Sequence, residues 1–254
     1  MTPPTPPPGH GLLEGRHVLV TAAAGTGIGH ATARRCLEEG ATVVLSDKHE
    51  RRLAESAEAL GVAGVPCDVT DEGDVQRLFA AAAEASPTGG IDVLVNNAGL
   101  GGTARLVDMT DEQWSVVLDV TLNGTFRCTR AALRHMVPRR RGVIVNNASV
   151  LGWRAQDGQA HYAAAKAGVM ALTRCAAVEA ADAGIRVNAV APSLAMHPFL
   201  NRAISDEVLA ELTTREAFGR AADPWEVATV IAFLASDYSN YMTGEVVSVS
   251  SQHP

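Results

Sequence analysis

The sequence predicts an α/β fold in which helices cover both faces of a single, doubly wound parallel sheet. Three observations support this class: short runs of Val, Ile and Leu recur, longer Ala-rich stretches with helical periodicity separate them, and no linker or internal repeat divides the 254 residues. Strands that are apolar throughout belong to sheets buried on both faces, and such sheets are parallel. The length suits one large domain, which we expect over residues 11–254.

The predicted strands and helices alternate from one end of the chain to the other. One helix start has Thr110 followed by Gln113, and another has Asp223 followed by Pro224 and Glu226. Both patterns are typical of capped helix N-termini. Strands are expected at residues 18–22, 42–46, 64–67, 92–96, 142–147, 186–191 and 245–249. Helices are expected near residues 28–39, 50–60, 71–85, 111–137, 159–183 and 224–235.

The chain begins with a proline-rich stretch over residues 1–10. Proline has no backbone N–H donor, which helices and sheet interiors require. We therefore predict a disordered or extended tail ahead of the domain.

Composition excludes several classes of function. A net charge of −7 disfavours a nucleic-acid surface, and the basic run at residues 139–141 is too short to reverse that. No apolar run reaches the ~20 residues of a membrane span, and we find no signal peptide. We therefore expect a cytoplasmic protein with no membrane or nucleic-acid partner. The cysteines have neither C-x-x-C nor metal-ligand spacing, so we expect reduced thiols and no metal: Cys36, Cys67, Cys128 and Cys175.

A loop of small residues follows the first predicted strand and ends at Gly29. The order strand, loop, helix brings backbone N–H groups and the positive end of a helix dipole together, where a pyrophosphate can bind. The alternative is a small-residue turn that only packs helix on sheet. The predicted dinucleotide contacts in this loop are Ala23, Thr26 (through its hydroxyl), Gly27, Ile28 and Gly29.

Asp47 directly follows the second predicted strand. A carboxylate there accepts hydrogen bonds from both ribose hydroxyls of a dinucleotide and repels a 2′-phosphate. It could instead cap the helix that begins near Glu50. Basic residues follow it, including Lys48 and Arg51, so binding of NADP stays open. We predict NAD(H) as the cofactor.

Tyr162 and Lys166 stand four residues apart in a predicted helix, and Ser149 precedes the tyrosine by thirteen residues. Positions i and i+4 share a helix face about 5–6 Å apart. A free tyrosine titrates near ~10, and a fixed ammonium beside it favours the phenolate and lowers that pKa. Such a pair also arises by chance in Ala-rich helices. Here it accompanies the small-residue loop, Asp47 and the sequence N-N-A-G at residues 96–99.

These four features, in this order, resemble the short-chain dehydrogenase/reductase family over residues 11–250. The resemblance implies a Rossmann-like fold and a nicotinamide cofactor that carries the hydride. It implies that Ser149 binds the substrate oxygen, although this serine could equally cap local backbone. It further implies that Tyr162 exchanges a proton with that oxygen. Lys166 would lower the pKa of Tyr162 and hold the nicotinamide ribose.

The same resemblance implies further cofactor contacts. Asp68 and Val69 would meet the adenine, although Asp68 could equally cap a turn. Asn96, Ala98 and Gly99 would line the adenine ribose and brace the sheet. The nicotinamide carboxamide would be supported by Pro192 and Leu194.

Three positions depart from the family pattern. Thr121 stands where the family has an asparagine that passes protons from the lysine through water, and a hydroxyl can donate and accept. We expect Thr121 to take part in the proton relay with altered geometry. Ser193 replaces the glycine after a proline, and residues 249–251 replace Asp-Gly-Gly. The small-residue loop also differs from the family's T-G-x-x-x-G-x-G. Its first glycine becomes Ala23 if the loop is aligned on residues 27–29, or Ala22 with one extra residue if it is aligned on Thr21.

Residues 100–106, 151–157 and 193–216 are expected to select the substrate. Residues 21–29, 146–156 and 242–252 resemble an actinobacterial subgroup linked to breakdown of the steroid C and D rings, which acts on a hydroxylated hydrindane acyl-CoA. The apolar side chains of the variable segments predict a hydrophobic alcohol or ketone: Leu100, Leu151, Trp153, Met196, His197, Phe199 and Leu200.

Two other functions stay open. The same catalytic set would serve a 3-oxoacyl-thioester reductase acting on acyl carrier protein or CoA substrates. The second is a regulatory protein that binds a dinucleotide without turnover. The departures at Thr121 and Ser193 from the family pattern favour this alternative. The resemblance also implies a homotetramer or homodimer formed through the long helices near residues 111–137 and 159–183.

Overall fold

The structure, a computed structural model, describes residues 5–196 and 206–252. A seven-stranded sheet forms its centre, with strand order β3-β2-β1-β4-β5-β6-β7 and every neighbouring pair parallel. The predicted doubly wound fold is therefore confirmed. The strands are β1 His17–Thr21, β2 Thr42–Asp47, β3 Ala63–Pro66, β4 Val93–Asn96, β5 Gly142–Asn147, β6 Ile185–Pro192 and β7 Val246–Val249.

Helices pack on both faces of this sheet. Along β1, Val18 and Val20 enter one core while Leu19 enters the other, because successive strand side chains point to opposite faces. The first core includes α1, α2 and α8, and the second includes α3, α5 and α6. The helices are α1 Ile28–Glu38, α2 Glu50–Leu60, α3 Glu72–Glu84, α4 Asp111–Leu118, α5 Gly124–Arg139, α6 Ala160–Ala180, α7 Asp206–Thr214 and α8 Pro224–Ala235.

Both predicted capping motifs are present. Thr110 accepts from Gln113 N at 3.2 Å, while Thr110 N donates to Gln113 Oε1 at 2.9 Å. Asp223 and Glu226 form the equivalent box before α8, with Pro224 in the first turn. These reciprocal bonds satisfy helix N–H groups that would otherwise lack partners.

The predicted helix over 111–137 is wrong in one respect. A π-helical segment, Asp119–Asn123, separates α4 from α5. Such a segment widens the turn and is often found at functional sites. Helix α7 lies in the variable segment and was not predicted from the sequence.

The tail has no helix or strand over residues 5–10, but its last residues are tied to α1. Arg35 donates to the carbonyl oxygens of Pro7 and Pro8 at 2.6 and 3.3 Å. His10 N donates to Glu39 Oε2 at 2.8 Å, and Glu39 also pairs with Arg35. This part of the tail is therefore anchored.

Among the described residues, no helix has both the length and the apolarity needed to cross a bilayer. The same residues hold no group of three His, Cys, Asp or Glu side chains that could bind a metal ion.

Candidate active site

The small-residue loop leaves the carboxyl end of β1, beside β4, where the strand order of the sheet reverses. Clefts at such points bind ligands in open parallel sheets. Helix α1 begins after Gly27 without a side-chain cap, so its first N–H groups remain available. A Cβ at Gly27 would meet nothing within 4 Å, and Thr26 is exposed on the loop. The open space and free N–H groups fit a dinucleotide pyrophosphate.

The placement of Ala23 as a phosphate contact is corrected. Ala23 is fully buried, and its N–H donates to Ser46 O at 3.0 Å. Ala22 instead has φ of 49°, the left-handed conformation that glycine adopts most readily. Ala22 therefore takes the place of the family's first glycine, and the loop carries one extra residue.

Gly29 lies at the closest approach of loop and sheet. A Cβ there would be 2.5 Å from both Ala22 O and Asn97 Nδ2. No side chain fits at that distance, so Gly29 serves packing, while neighbouring Ile28 is half-buried as the first residue of α1.

Asp47 ends β2 at the same edge of the sheet. Its carboxylate accepts from Ala24 N at 3.3 Å and from His49 N at 2.9 Å. The first bond ties it to the loop, and the second lies at the start of α2. Both readings of Asp47, as ligand to the ribose and as local cap, are compatible because a carboxylate has about four acceptor positions.

Asp68 and Val69 follow β3. Asp68 Oδ1 accepts from Thr70 N at 3.0 Å and Thr70 Oγ1 at 2.8 Å, so it forms the turn that was the alternative. Burial opposes ionisation of Asp68, but the Thr70 hydrogen bonds and nearby cations outweigh it and lower its pKa. Val69 is buried against Gly124, where a Cβ would lie 2.6 Å from Val69 Cγ2.

The N-N-A-G segment follows β4. Asn96 is buried, and its Nδ2 donates to Thr129 Oγ1 at 3.0 Å and Asn146 Oδ1 at 2.9 Å. Its side chain therefore braces β4 against β5. Ala98 N donates to Thr21 Oγ1 at 3.2 Å, and a Cβ at Gly99 would be 3.4 Å from Lys166 Nζ.

Two asparagines that were not predicted from the sequence join the small-residue loop to helix α6. Asn97 Nδ2 donates to Ala22 O at 3.0 Å, and Asn147 Nδ2 donates to Asn97 Oδ1 at 2.9 Å. Asn147 O in turn accepts from Lys166 Nζ at 2.5 Å. Each follows another asparagine, Asn96 at the end of β4 or Asn146 within β5, and that doubled pattern was the available signal.

Ser149, Tyr162 and Lys166 meet beyond the ends of β5 and the start of α6. Tyr162 is half-buried, hydrogen-bonds with Ser149, and its ring centroid lies 5.5 Å from Lys166 Nζ. Ser149 Oγ also accepts from Leu151 N at 3.2 Å, so it caps the short 3-10 turn as well. The three predicted residues are therefore brought together.

The expected lowering of the tyrosine pKa is wrong in this structure. Burial raises the pKa of Tyr162 to about 12, although the Ser149 hydrogen bond opposes this rise. Burial also lowers the pKa of Lys166 to about 8, since no carboxylate compensates its charge within the described residues. The phenol is therefore protonated and suited to donating a proton.

Thr121 is fully buried at the centre of the π-helical segment. Its Oγ1 accepts from Leu100 N at 3.0 Å and donates to Leu100 O at 3.3 Å. Thr121 has only one hydroxyl proton, and this proton is donated to Leu100 O. The expectation that Thr121 relays protons is therefore not supported, and the residue instead fixes the segment after Gly99.

Pro192 and Leu194 lie at the carboxyl end of β6, where Pro192 pairs with Val249 of β7. Leu194 N donates to Glu216 Oε1 at 3.3 Å. Glu216 Oε2 accepts from Ser193 Oγ at 3.0 Å and Ser251 Oγ at 2.8 Å. The two serines that depart from the family pattern thus share one buried carboxylate.

The substrate side of the site is partly described. Leu100 and Trp153 are exposed, and Leu151 and Met196 are half-buried. Residues His197, Phe199 and Leu200 lie outside the described residues.

Comparisons with known proteins show which family this chain resembles. A family model described as enoyl-(acyl carrier protein) reductase matches residues 22–251. The (5R,7aS)-5-hydroxy-7a-methyl-1-oxo-2,3,5,6,7,7a-hexahydro-1H-indene-carboxyl-CoA reductase of Mycobacterium tuberculosis is 62% identical over 253 residues, covering 97% of this chain and 96% of that protein. A 3-oxoacyl-[acyl-carrier-protein] reductase of Thermotoga maritima is 40% identical over 242 residues, covering 93% and 97%.

Solved structures with a similar fold are also dehydrogenases and reductases. The crystal structure of a short-chain dehydrogenase from Mycobacterium smegmatis superposes with a TM-score of 0.87 at 59% identity, covering 99% of this chain and 98% of that one. Levodione reductase superposes with a TM-score of 0.89 at 33% identity, covering 94% and 97%. With Ser149, Tyr162 and Lys166 assembled beside the dinucleotide loop, the chain belongs to the short-chain dehydrogenase/reductase family.

Proposed function

We propose that this oxidoreductase interconverts a secondary alcohol and a ketone on a steroid-derived bicyclic acyl-CoA, with NAD(H) as cofactor. The observation that carries the proposal is the 62% identity to the hydroxy-indene-carboxyl-CoA reductase over nearly the whole of both chains. The apolar side chains Leu100, Leu151 and Trp153 near the catalytic groups suit a hydrophobic ring system.

The chemistry follows from the residues in place. Ser149 holds the substrate oxygen, and Tyr162 donates its proton to that oxygen in reduction or accepts it in oxidation. The nicotinamide, when bound, supplies or accepts the hydride. The Lys166 ammonium lies beside the phenol and donates a hydrogen bond to Asn147 O, which fixes its position. From there it can also donate to the nicotinamide ribose.

The cofactor is held by the loop and by the strand ends beside it. Thr26 and the N–H groups following Gly27 take the pyrophosphate, and Asp47 takes the adenine ribose. Asp47 supports NAD(H) over NADP(H), because its charge repels a 2′-phosphate.

The assembly we propose is a homotetramer or homodimer in the cytoplasm. Large apolar side chains on α4 and α5 remain exposed in the single chain, including Trp114, Val116 and Phe126. Such exposed apolar groups on neighbouring helices favour an interface.

A second candidate is a 3-oxoacyl-thioester reductase, favoured by the 40% identity to the Thermotoga maritima enzyme. The third candidate is a regulatory protein that binds a dinucleotide without turnover. NAD reduction by the hydroxylated bicyclic acyl-CoA, compared with a linear 3-hydroxyacyl-CoA, separates them. We expect a higher kcat/KM for the bicyclic thioester. Preference for the linear thioester would favour the second candidate, and turnover of neither would favour the third.

A further inference from the structure

A cavity of about 330 Å³ lies beside the catalytic serine and is not used by the proton and hydride chemistry. Leu151 forms part of its wall, and Leu151 N donates to Ser149 Oγ at 3.2 Å. One wall of the cavity is therefore formed by the turn that follows Ser149, and the remaining lining residues lie further along the chain. Its lining residues are Leu151, Arg154, Ala155, Gln156, Arg215 and Gln252.

The charged side chains that line this cavity are both basic, although the chain carries a net charge of −7. Its lining includes two arginines and no carboxylate. Arg154 is half-buried and donates to Gln252 Oε1 at 2.5 Å. Within residues 5–196 and 206–252, no acidic side chain forms an ion pair with Arg154. Desolvating a guanidinium without a counter-charge is unfavourable, so an anionic ligand would stabilise it.

Arg215 adds a second positive charge to the lining. It pairs with Glu211 at 2.8 Å, but both side chains are about half exposed or more. An exposed pair of this kind contributes little free energy. Arg215 can therefore turn towards an anion in the cavity at small cost.

The wall of the cavity is held by buried hydrogen bonds. Glu216 is 3% exposed and pairs across an antiparallel bridge with Gln252. Ala217 N donates to Ser251 O at 2.6 Å, and Ser251 Oγ donates to Glu216 Oε2 at 2.8 Å. These bonds keep Arg215 and Gln252 on the same wall, facing Arg154.

We propose that this cavity binds a phosphate group of the substrate's phosphopantetheine arm, with Arg154 as its principal ligand. This inference rests on the proposed function, which makes the substrate a thioester. A guanidinium matches the geometry of phosphate oxygens and can bind two of them at once. CoA and an acyl carrier protein both present this phosphate, so the test includes both sources.

The test compares three thioesters of the same acyl group: with CoA, with an acyl carrier protein, and with pantetheine, which has no phosphate. The readout is the ratio of kcat/KM for each phosphorylated thioester to that for the pantetheine thioester. We expect Arg154→Gln to lower the CoA ratio about tenfold or more, as loss of a charge-assisted hydrogen bond implies. The change should lie mainly in KM, with partial recovery in Arg154→Lys.

Arg34→Gln is the matched control, because Arg34 is an exposed arginine paired with Glu38 on α1. Its ratio should equal that of the unmodified chain. Equal losses with all three thioesters in Arg154→Gln, or no loss in any, would overturn the proposal. If Arg154→Gln lowers the kcat/KM ratio only for the carrier-protein thioester, the cavity binds the phosphate of an acyl carrier protein and not that of CoA.

Calorimetry with CoA and with pantetheine tests the cavity without turnover. If CoA binds more tightly than pantetheine and Arg154→Gln removes this difference, the cavity assignment is supported. This holds even if no thioester is turned over, and in that case only the proposed function fails. Equal binding of CoA by both proteins overturns the cavity assignment.

Discussion

Lys166 Nζ donates a hydrogen bond to the main-chain oxygen of Asn147 over 2.5 Å. Since the Asn147 side chain donates to Asn97 and Asn97 donates to Ala22 O, this contact joins α6 to the small-residue loop. The partner of the lysine is a carbonyl, which carries no full charge. No carboxylate in the described part of the chain compensates the buried ammonium, so burial lowers the pKa of Lys166 to about 8.

This pKa can be measured directly, because Lys166 and Lys48 are the only lysines of the chain. After reductive methylation with ¹³C, the Lys166 signal should show a pKa of about 8, below the ordinary lysine value of 10.5. The sign follows from burial, which disfavours the charged form and lowers an amine pKa. Lys166→Met assigns the signal. A midpoint near 10.5 would show that the ammonium is well solvated.

Asp47 should determine the cofactor preference. Asp47→Asn keeps an acceptor for Ala24 N but removes the charge that repels a 2′-phosphate. We expect the ratio of the NADPH to NADH dissociation constants to fall about tenfold, the order of one charge-assisted hydrogen bond. Fluorescence titration with each nucleotide measures both constants. Tighter binding of NADPH than NADH by the unmodified chain would contradict the assignment.

Glu216 should couple the two serines that depart from the family pattern. Glu216→Ala leaves Ser193 Oγ, Ser251 Oγ and Leu194 N without their acceptor, which we expect to lower the free energy of unfolding by about 1–3 kcal/mol. It should also raise KM for the cofactor, because we propose that Leu194 supports the nicotinamide carboxamide and its N–H donates to Glu216.

A double-mutant cycle checks this coupling. The stability effects of Ser193→Gly and Ser251→Gly should shrink in the Glu216→Ala background, because their shared acceptor is already gone. Denaturant unfolding measures each variant. Additive effects would show that the serines act independently of the carboxylate.

Much of the fold was predictable because it depends on local patterns. All seven strands lie within two residues of the predicted positions, since continuous apolar runs such as that of β5 mark strands buried on both faces. Ser149, Tyr162 and Lys166 were predictable because helical spacing and strand ends bring them to one edge of the sheet.

The remaining features depend on tertiary contacts that no local pattern encodes. The π-helical segment has ordinary helical periodicity in sequence, and it coincides with the Thr121 contact to Leu100 and the packing of Val69 on Gly124. The choice between Ala22 and Ala23 required the backbone conformation. The pKa of Tyr162 was predicted with the wrong sign because its burial is a property of the folded chain.

The most direct test of the account is the turnover of Tyr162→Phe with the bicyclic acyl-CoA substrate. This change removes one hydroxyl from a half-buried ring, so circular dichroism should show an unchanged fold. Because general acid–base catalysis contributes about 10²–10⁴-fold, we expect kcat to fall by at least that range. A kcat close to that of the unmodified enzyme would contradict the role of Tyr162 as the proton donor and acceptor.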